Sequence, residues 1–205
     1  MRKIMVFLAV AALLFFSSPC LSQAPKQVAG FVLGDNISVY KEKLDMRSAL
    51  PIRYQEYLTE VEINRIEGYK SGLIAYATCK NPGMIVRIKL KYADSSKKFY
   101  EQLLKRFKQQ FGEPTEWRGD PFHVMISWKW SFVDPKLNLI SIILQHNTLD
   151  EDEKMGNSLK MTLTEQVGEE RRCYVKKHPQ SQEDKEKSNK RREKSVGNWE
   201  RYLPQ

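Results

Sequence analysis

Five cations recur at positions that let them act together. Arg87, Lys89 and Lys91 occupy every second position of one segment, Lys129 lies in another and Lys160 in a third. Alternate residues of a strand point to one face. If the three segments are neighbours in a sheet, the five side chains form a basic stripe. Converging charges of one sign raise the local concentration of the opposite charge, so the stripe is a candidate anionic-surface binding site. The plainer reading is the solvated side of a sheet that buries only its other face.

Other reactive residue types give less. His178 lies in a polar C-terminal stretch, His123 on the polar face of an aromatic-rich strand, and His146 at a strand end beside Ile142 and Leu144. No His-x-x-x-His or paired Cys-x-x-Cys spacing is present, so no zinc site and no cofactor is expected. The acidic run Asp150 to Glu153 lacks the Gly and Glu spacing of a calcium loop and reads as a solvated turn. Nucleophile elbows, phosphate-binding glycine loops and dinucleotide fingerprints are absent from the sequence, which weighs against the common enzyme classes.

The elements that must carry the stripe are legible from periodicity. Asp35 or Asn36 can cap a short helix ending near Leu44. Period-two patterns follow over Tyr57 to Ile63, Leu73 to Cys79 and Met84 to Tyr92, with Asn81-Pro82-Gly83 as a turn. Phe99, Leu103, Phe107 and Phe111 then recur every four residues, which predicts a helix stopped by Gly112 and Pro114. Phe122 to Phe132 reads as one long strand, with Trp128 and Trp130 on its apolar face as core. Strands over Leu139 to Asn147 and Ser158 to Thr164 complete the pattern. The order helix, three strands, helix, three strands implies an α+β fold. It would be one antiparallel sheet with two helices on one face, a tandem αβββ-αβββ arrangement.

The chain's ends set the compartment. Met1-Arg2-Lys3, a run of 13 apolar residues from Ile4 to Phe16, and the small-residue stretch Ser17 to Ala24 have the layout of a secretory signal peptide. The run falls short of the roughly 20 residues a spanning helix needs, so no transmembrane segment is expected in the mature chain. Cutting after Ala24 or after Ser22 both suit the stretch. Lipidation of Cys20 is disfavoured by Pro19. The expected organisation is a signal over 1–24, one domain over 25–170 and a disordered basic tail over 171–205. The net charge of +9 divides unevenly: residues 25–170 hold 21 basic and 20 acidic residues, and residues 171–205 hold 11 and 5. The basicity belongs to the tail, and an exported chain with a nearly neutral domain is not expected to bind nucleic acid. Loss of the signal leaves Cys79 and Cys173. An even pair in an oxidising compartment favours one disulfide, and the alternative is two free thiols.

Gly-Phe-Val-Leu-Gly-Asp-Asn at 30–36 and Phe-Gly-Glu-Pro at 111–114 resemble segments of small exported bacterial α+β modules. They are similar to parts of the SmpA/OmlA-type outer-membrane lipoproteins and of the tandem helix-plus-strands layout of the β-lactamase inhibitor proteins. The resemblance implies envelope assembly or protein binding without catalysis. Taken together, the chain is expected to be a periplasmic or secreted, non-catalytic binding or scaffold protein that contacts an envelope protein or an anionic surface component. The competing expectation is a small exported hydrolase, or a carrier of an apolar small molecule, with His123 or His146 as its ionisable group.

Overall fold

The computed structural model describes residues 24–135, 138–147 and 156–179. Residues 1–23 of the expected signal segment (1–24), the acidic run and the tail beyond 179 lie outside them. The fold is α+β, built on an eight-stranded antiparallel sheet. In chain order its strands are β3 (Leu44–Ile52), β4 (Gln55–Ile63), β5 (Tyr69–Ala77), β6 (Ile85–Tyr92), β7 (Glu116–Trp117), β8 (Met125–Val133), β9 (Leu139–Asn147) and β10 (Asn157–Leu163). They lie side by side as β3-β4-β5-β6-β10-β9-β8-β7. Two four-strand meanders are thus joined along β6 and β10. A two-stranded ribbon, β1 (Gln27–Val28) and β2 (Phe31–Val32), precedes them. Its turn residues Ala29 and Gly30 both have positive φ, as a tight hairpin requires.

A helical element leads into each meander. The first is a 3-10 helix, Ile37–Lys43, whose N-cap Asn36 accepts the Ser38 N–H at 3.0 Å. The second is α1 (Lys97–Phe111), capped by Ser96 and ended at Gly112, whose φ of 78° suits glycine. Both pack against the same core, so the expectation of two helices on one face holds. Phe31, Ile37 and Tyr40 enter that core from the N-terminal side, and Tyr100, Leu103, Phe107 and Phe111 from α1. Trp130 is its largest buried side chain, 5.6 Å from the Phe107 ring centroid, and its Nε1 donates to the Gly112 carbonyl at 2.9 Å. Burial of such aromatic rings dominates core energetics, and the indole N–H finds its acceptor at the helix end.

Four features depart from the sequence reading. Each meander has a fourth strand. β3 escaped because Leu44 to Ile52 does not alternate: its pairing with β4 slips between Asp45 and Leu50, and Pro51 is tolerated at a sheet edge. β7 is only two residues long. The strand expected from Phe122 begins at Met125 instead, because Asp120 gathers the backbone N–H groups of Phe122 and Met125 into a turn. Phe122 is left 86% exposed. Finally, a second α-helix, α2 (Thr164–Lys177), runs through the boundary placed at residue 171, so the first seven residues assigned to the tail are helical.

α2 lies on the face opposite α1. It crosses β9, β10, β6 and β4 at one end of the sheet. There Val167 and Tyr174 cover Tyr57, Leu58, Ala77 and Val86, a second and smaller apolar cluster. Cys79 and Cys173 form the expected disulfide, with Cα atoms 5.9 Å apart. No helix among the described residues is long and apolar enough to cross a membrane.

Candidate functional site

Antiparallel register decides which cations meet. One row runs across the sheet as Glu62, Leu73, Lys89, Lys160, Ile143, Lys129 and Glu116. The next row is Ser71, Lys91, Ser158, Gln145 and Ser127. On the other side of the first lie Glu60, Ala75, Arg87, Thr162 and Ser141. All three rows share the face opposite α1. The α2 end of that face is covered, and its exposed part lies around Lys91 and Lys160, whereas Ser127 at the β8 end of the Lys91 row is buried.

Along these rows the five expected residues separate. Lys129 is divided from Lys160 by Ile143, and its Nζ is paired with Glu116 at 3.2 Å. Glu116 also holds Arg118 at 2.9 Å. Both Arg87 guanidinium NH groups donate to Gln55 Oε1 at 3.3 Å. Burial holds Arg87 below its ordinary pKa, against the pull of Glu60 and Tyr57. Lys89 pairs with Glu60 at 2.8 Å. Lys160 stands directly opposite Lys89 and has no hydrogen-bond or ion-pair partner among the described residues. Its side chain is exposed at the surface, and its pKa is lowered, first by partial desolvation of the stem and then by the charges of Arg87, Lys89 and Arg118. Lys91 faces Ser158 across the same pair of strands.

Lys89, Lys91 and Lys160 line a depression of about 330 Å³ with Leu73, Ile143 and Gln145, and with Ser71 and Ser158. Arg87 and Lys129 do not reach it. Gln145 lines it, but its Nε2 is sealed from solvent; among the described residues that nitrogen and the Tyr100 hydroxyl in the α1-side core are the two buried side-chain polar atoms without a hydrogen-bond partner. A buried amide donor left unpaired is costly, and such groups are uncommon enough to require an explanation. A second depression of about 700 Å³ adjoins the first, sharing Ser71, Leu73 and Lys91 and adding Ile63, Ile66 and Tyr69. Gln145 and Ser158 were missed in the sequence because a single polar residue on a strand carries no distinguishing signal.

The histidines are placed elsewhere. His146 is buried, its Nδ1 2.7 Å from Asn157 Oδ1, and it stacks on Tyr100 at 5.2 Å. Asn157 Nδ2 donates in turn to the carbonyls of Asp94 and Ser96. That network fastens β9 and β10 to the start of α1. His123 sits in the β7–β8 turn at positive φ, its ring 5.3 Å from Trp117, not on a strand face. His178 caps α2 and stacks on Tyr174 at 4.2 Å. Neither His123 nor His146 lines the depression. Among the described residues, no group of three His, Cys, Asp or Glu side chains is arranged to hold a metal ion.

A polar anchor holds α2 in place. The Glu170 carboxylate, with 0% exposure, accepts the backbone N–H groups of Cys79, Lys80 and Asn81 at 2.6 to 3.1 Å. Three converging donors suit an anion in a turn. The sequence offered a faint signal for this: Val167, Glu170 and Tyr174 share a helical face, with the acid where an apolar residue would be expected.

The chain matches no protein-family model, no curated protein and no solved structure. Residue geometry is therefore the ground for a functional reading.

Proposed function

We propose that this is an exported, non-catalytic binding or scaffold protein of the cell envelope that engages an anionic component through the uncovered half of its sheet. The observation that carries the reading is Lys160. It is an exposed cation with no acidic partner among the described residues, and it lines a depression together with Lys89 and Lys91. Lys160 and the exposed Lys91 beside it are cations of one sign on one open surface, and converging charges of one sign raise the local concentration of an anion. Glu60 and Glu116 already neutralise Lys89 and Lys129, so the stripe acts at its centre, not along its length.

Support for export comes from the signal-like first 24 residues and from the Cys79–Cys173 disulfide, which suits an oxidising compartment. The resemblance to SmpA/OmlA-type modules points the same way. The hydrolase alternative has weaker footing, because His146 is engaged with Asn157 and Tyr100 away from the depression.

The test is capture of anionic envelope vesicles by the purified wild-type chain and by Lys160→Glu and Lys91→Glu variants. Capture by the wild type, lost on charge reversal and lost with rising salt, is expected. Equal capture by all three proteins would end the proposal.

A further inference from the structure

We infer that the turn between β7 and β8 is a membrane anchor: Phe122 enters the interfacial layer of an anionic lipid bilayer while Lys91, Lys160 and Arg118 meet its headgroups. This rests on the anion-binding reading and names the partner for it. Three observations converge on the turn.

First, Phe122 is the most exposed large apolar side chain among the described residues, at 86%, and Pro121 beside it is exposed as well. Single exposed apolar residues are common, so exposure alone carries no function. Second, the turn that holds Phe122 is built to stay in one shape. The Asp120 carboxylate accepts the backbone N–H of Phe122 at 2.8 Å and those of Val124 and Met125. The Asp120 N–H donates to the Met125 carbonyl at 3.0 Å, and the His123 N–H to the Asp120 carbonyl at 3.1 Å. His123 takes a φ of 55°, which a residue other than glycine seldom adopts. Trp117 packs on Trp128 at 4.7 Å and on His123 at 5.3 Å. Its ring also lies so close over Gly119 that a Cβ there would fall 2.2 Å from Cζ2. The turn is ordered before any partner arrives, so docking it costs little conformational entropy. Third, the turn continues the basic face. The Arg118 N–H donates to the Ser127 carbonyl at 2.8 Å, which extends the row of Lys91, Ser158, Gln145 and Ser127 onto Arg118. Arg118 is exposed, and its charge is felt at Lys160. Arg118 and Lys129 share one carboxylate, Glu116, so the three together keep a net positive charge. Phe122 follows four residues later, at the rim of that face. Aromatic rings settle at the boundary between headgroups and acyl chains, and each cation near an anionic leaflet adds attraction. A bilayer surface can meet a row of exposed cations and a ring at its rim together, which a small ion cannot.

The experiment sediments the purified full chain with vesicles of mixed phosphatidylglycerol and phosphatidylcholine, and with vesicles of phosphatidylcholine alone. Binding to the anionic vesicles that weakens with salt is expected, with far less binding to the neutral ones. Phe122→Ser should weaken it about tenfold or more, the scale of returning one buried aromatic ring to water. Arg118→Gln and Lys160→Gln should each weaken it about fivefold, the scale of one cation near an anionic surface. In Phe122→Trp the added emission should be quenched by brominated lipid. Circular dichroism and thermal midpoints verify that the variants fold.

Equal binding by the wild type and Phe122→Ser overturns the anchor, and the broader anion-binding proposal stands if Lys160→Glu still abolishes capture of envelope vesicles. Equal binding to anionic and neutral vesicles overturns the part given to the basic face. Capture of envelope vesicles that is lost in Phe122→Ser, without binding to pure lipid, overturns the bilayer in favour of an envelope protein. Pairing of two chains, seen by sedimentation and lost in Phe122→Ser, overturns it in favour of a second copy. If the wild type binds neither lipid nor envelope vesicles, both proposals fail.

Discussion

One face of one sheet is finished in two ways. The α2 end is tied by specific contacts: Glu170 receives three backbone N–H groups, Lys80 pairs with Glu169 at 2.7 Å, and a disulfide closes the seam. At the other end Lys160 faces Lys89, Gln145 Nε2 is unpaired, and Leu73 and Ile143 are only half-buried. Both ends belong to the same strands, so strand propensity cannot explain the contrast. On this face the looser packing lies at the open end, which is where binding is proposed to reside.

The comparison can be broken most severely at the disulfide. It joins residues 94 apart, and the chain-entropy model assigns a bridge of that span about 4 to 5 kcal/mol. Replacing Cys79 and Cys173 by Ser should lower the urea midpoint accordingly. It should also loosen α2 and expose Tyr57 and Val86 to a hydrophobic dye. Affinity of the open groove should stay within about twofold where the variant is folded. A groove that fails together with the bridge would show that the two ends are one unit.

Glu170→Ala tests the same end without touching the covalent link. It leaves the N–H groups of Cys79, Lys80 and Asn81 without their acceptor, and a buried unsatisfied group costs about 1 to 3 kcal/mol. Water entering the gap limits the total, so a loss of about 3 kcal/mol is expected in denaturant titration. Glu170→Gln keeps one acceptor oxygen but turns an NH₂ toward the donors, and it should recover only part of the loss. An Ala variant as stable as the wild type would mean that packing and the disulfide alone hold the helix.

A third test lies away from both ends. Asp134 is buried and paired with Lys26 at 2.5 Å, tying the segment before β1 to the end of β8. The Lys26 hydrogen bond, then that of Asn138, holds its carboxyl well below the usual carboxylate range. A depressed carboxyl contributes stability at pH values above the unfolded value of about 4, and that stability is lost as pH falls through the folded value. Asp134→Asn should therefore lower stability at neutral pH and flatten the acid limb of the stability profile. Unchanged steepness below pH 4 in the variant would assign acid sensitivity to other carboxylates. Affinity of the open groove, measured at neutral pH, should be unaffected.

What was legible in the sequence follows from what repeats. Lys89 and Leu90 alternate over enough positions for period two to declare the strand and its faces, and Phe99 to Phe111 does the same for α1. The disulfide pair could be named because Cys20 lies in the expected signal segment, which leaves Cys79 and Cys173 as a pair. The α2 end could not be read, because Glu170 owes its burial to a turn about 90 residues earlier, a long-range relation that no local pattern encodes. The composition of residues 171–177, rich in Lys and Arg, resembles the polar stretch that follows it. The open end was half legible. Alternation put five cations on one face, but only strand order and register could separate Lys160 from the acid-neutralised Lys89 and Lys129.

The smallest expected effect is the most discriminating. Lys160→Met removes a cation directly opposite Lys89 and keeps a long side chain on the strand. Like charges so placed cost up to about 1 kcal/mol, and the Lys89–Glu60 pair reduces that cost, so the variant should be more stable than the wild type by about a few tenths of a kcal/mol while losing anion binding. The pH dependence fixes the cause. The folded pKa of Lys160 is lowered, so the charge penalty is present in full at neutral pH. It is relieved as pH rises from the folded value toward the unfolded value of about 10.4. The stability gap between variant and wild type should therefore narrow in alkali. Lys160→Arg cannot shed its proton and should keep the penalty throughout that range. A gap that is constant with pH, or a Met variant less stable than the wild type, would mean that Lys160 is an ordinary surface lysine. The open end would then be unfinished for no functional reason.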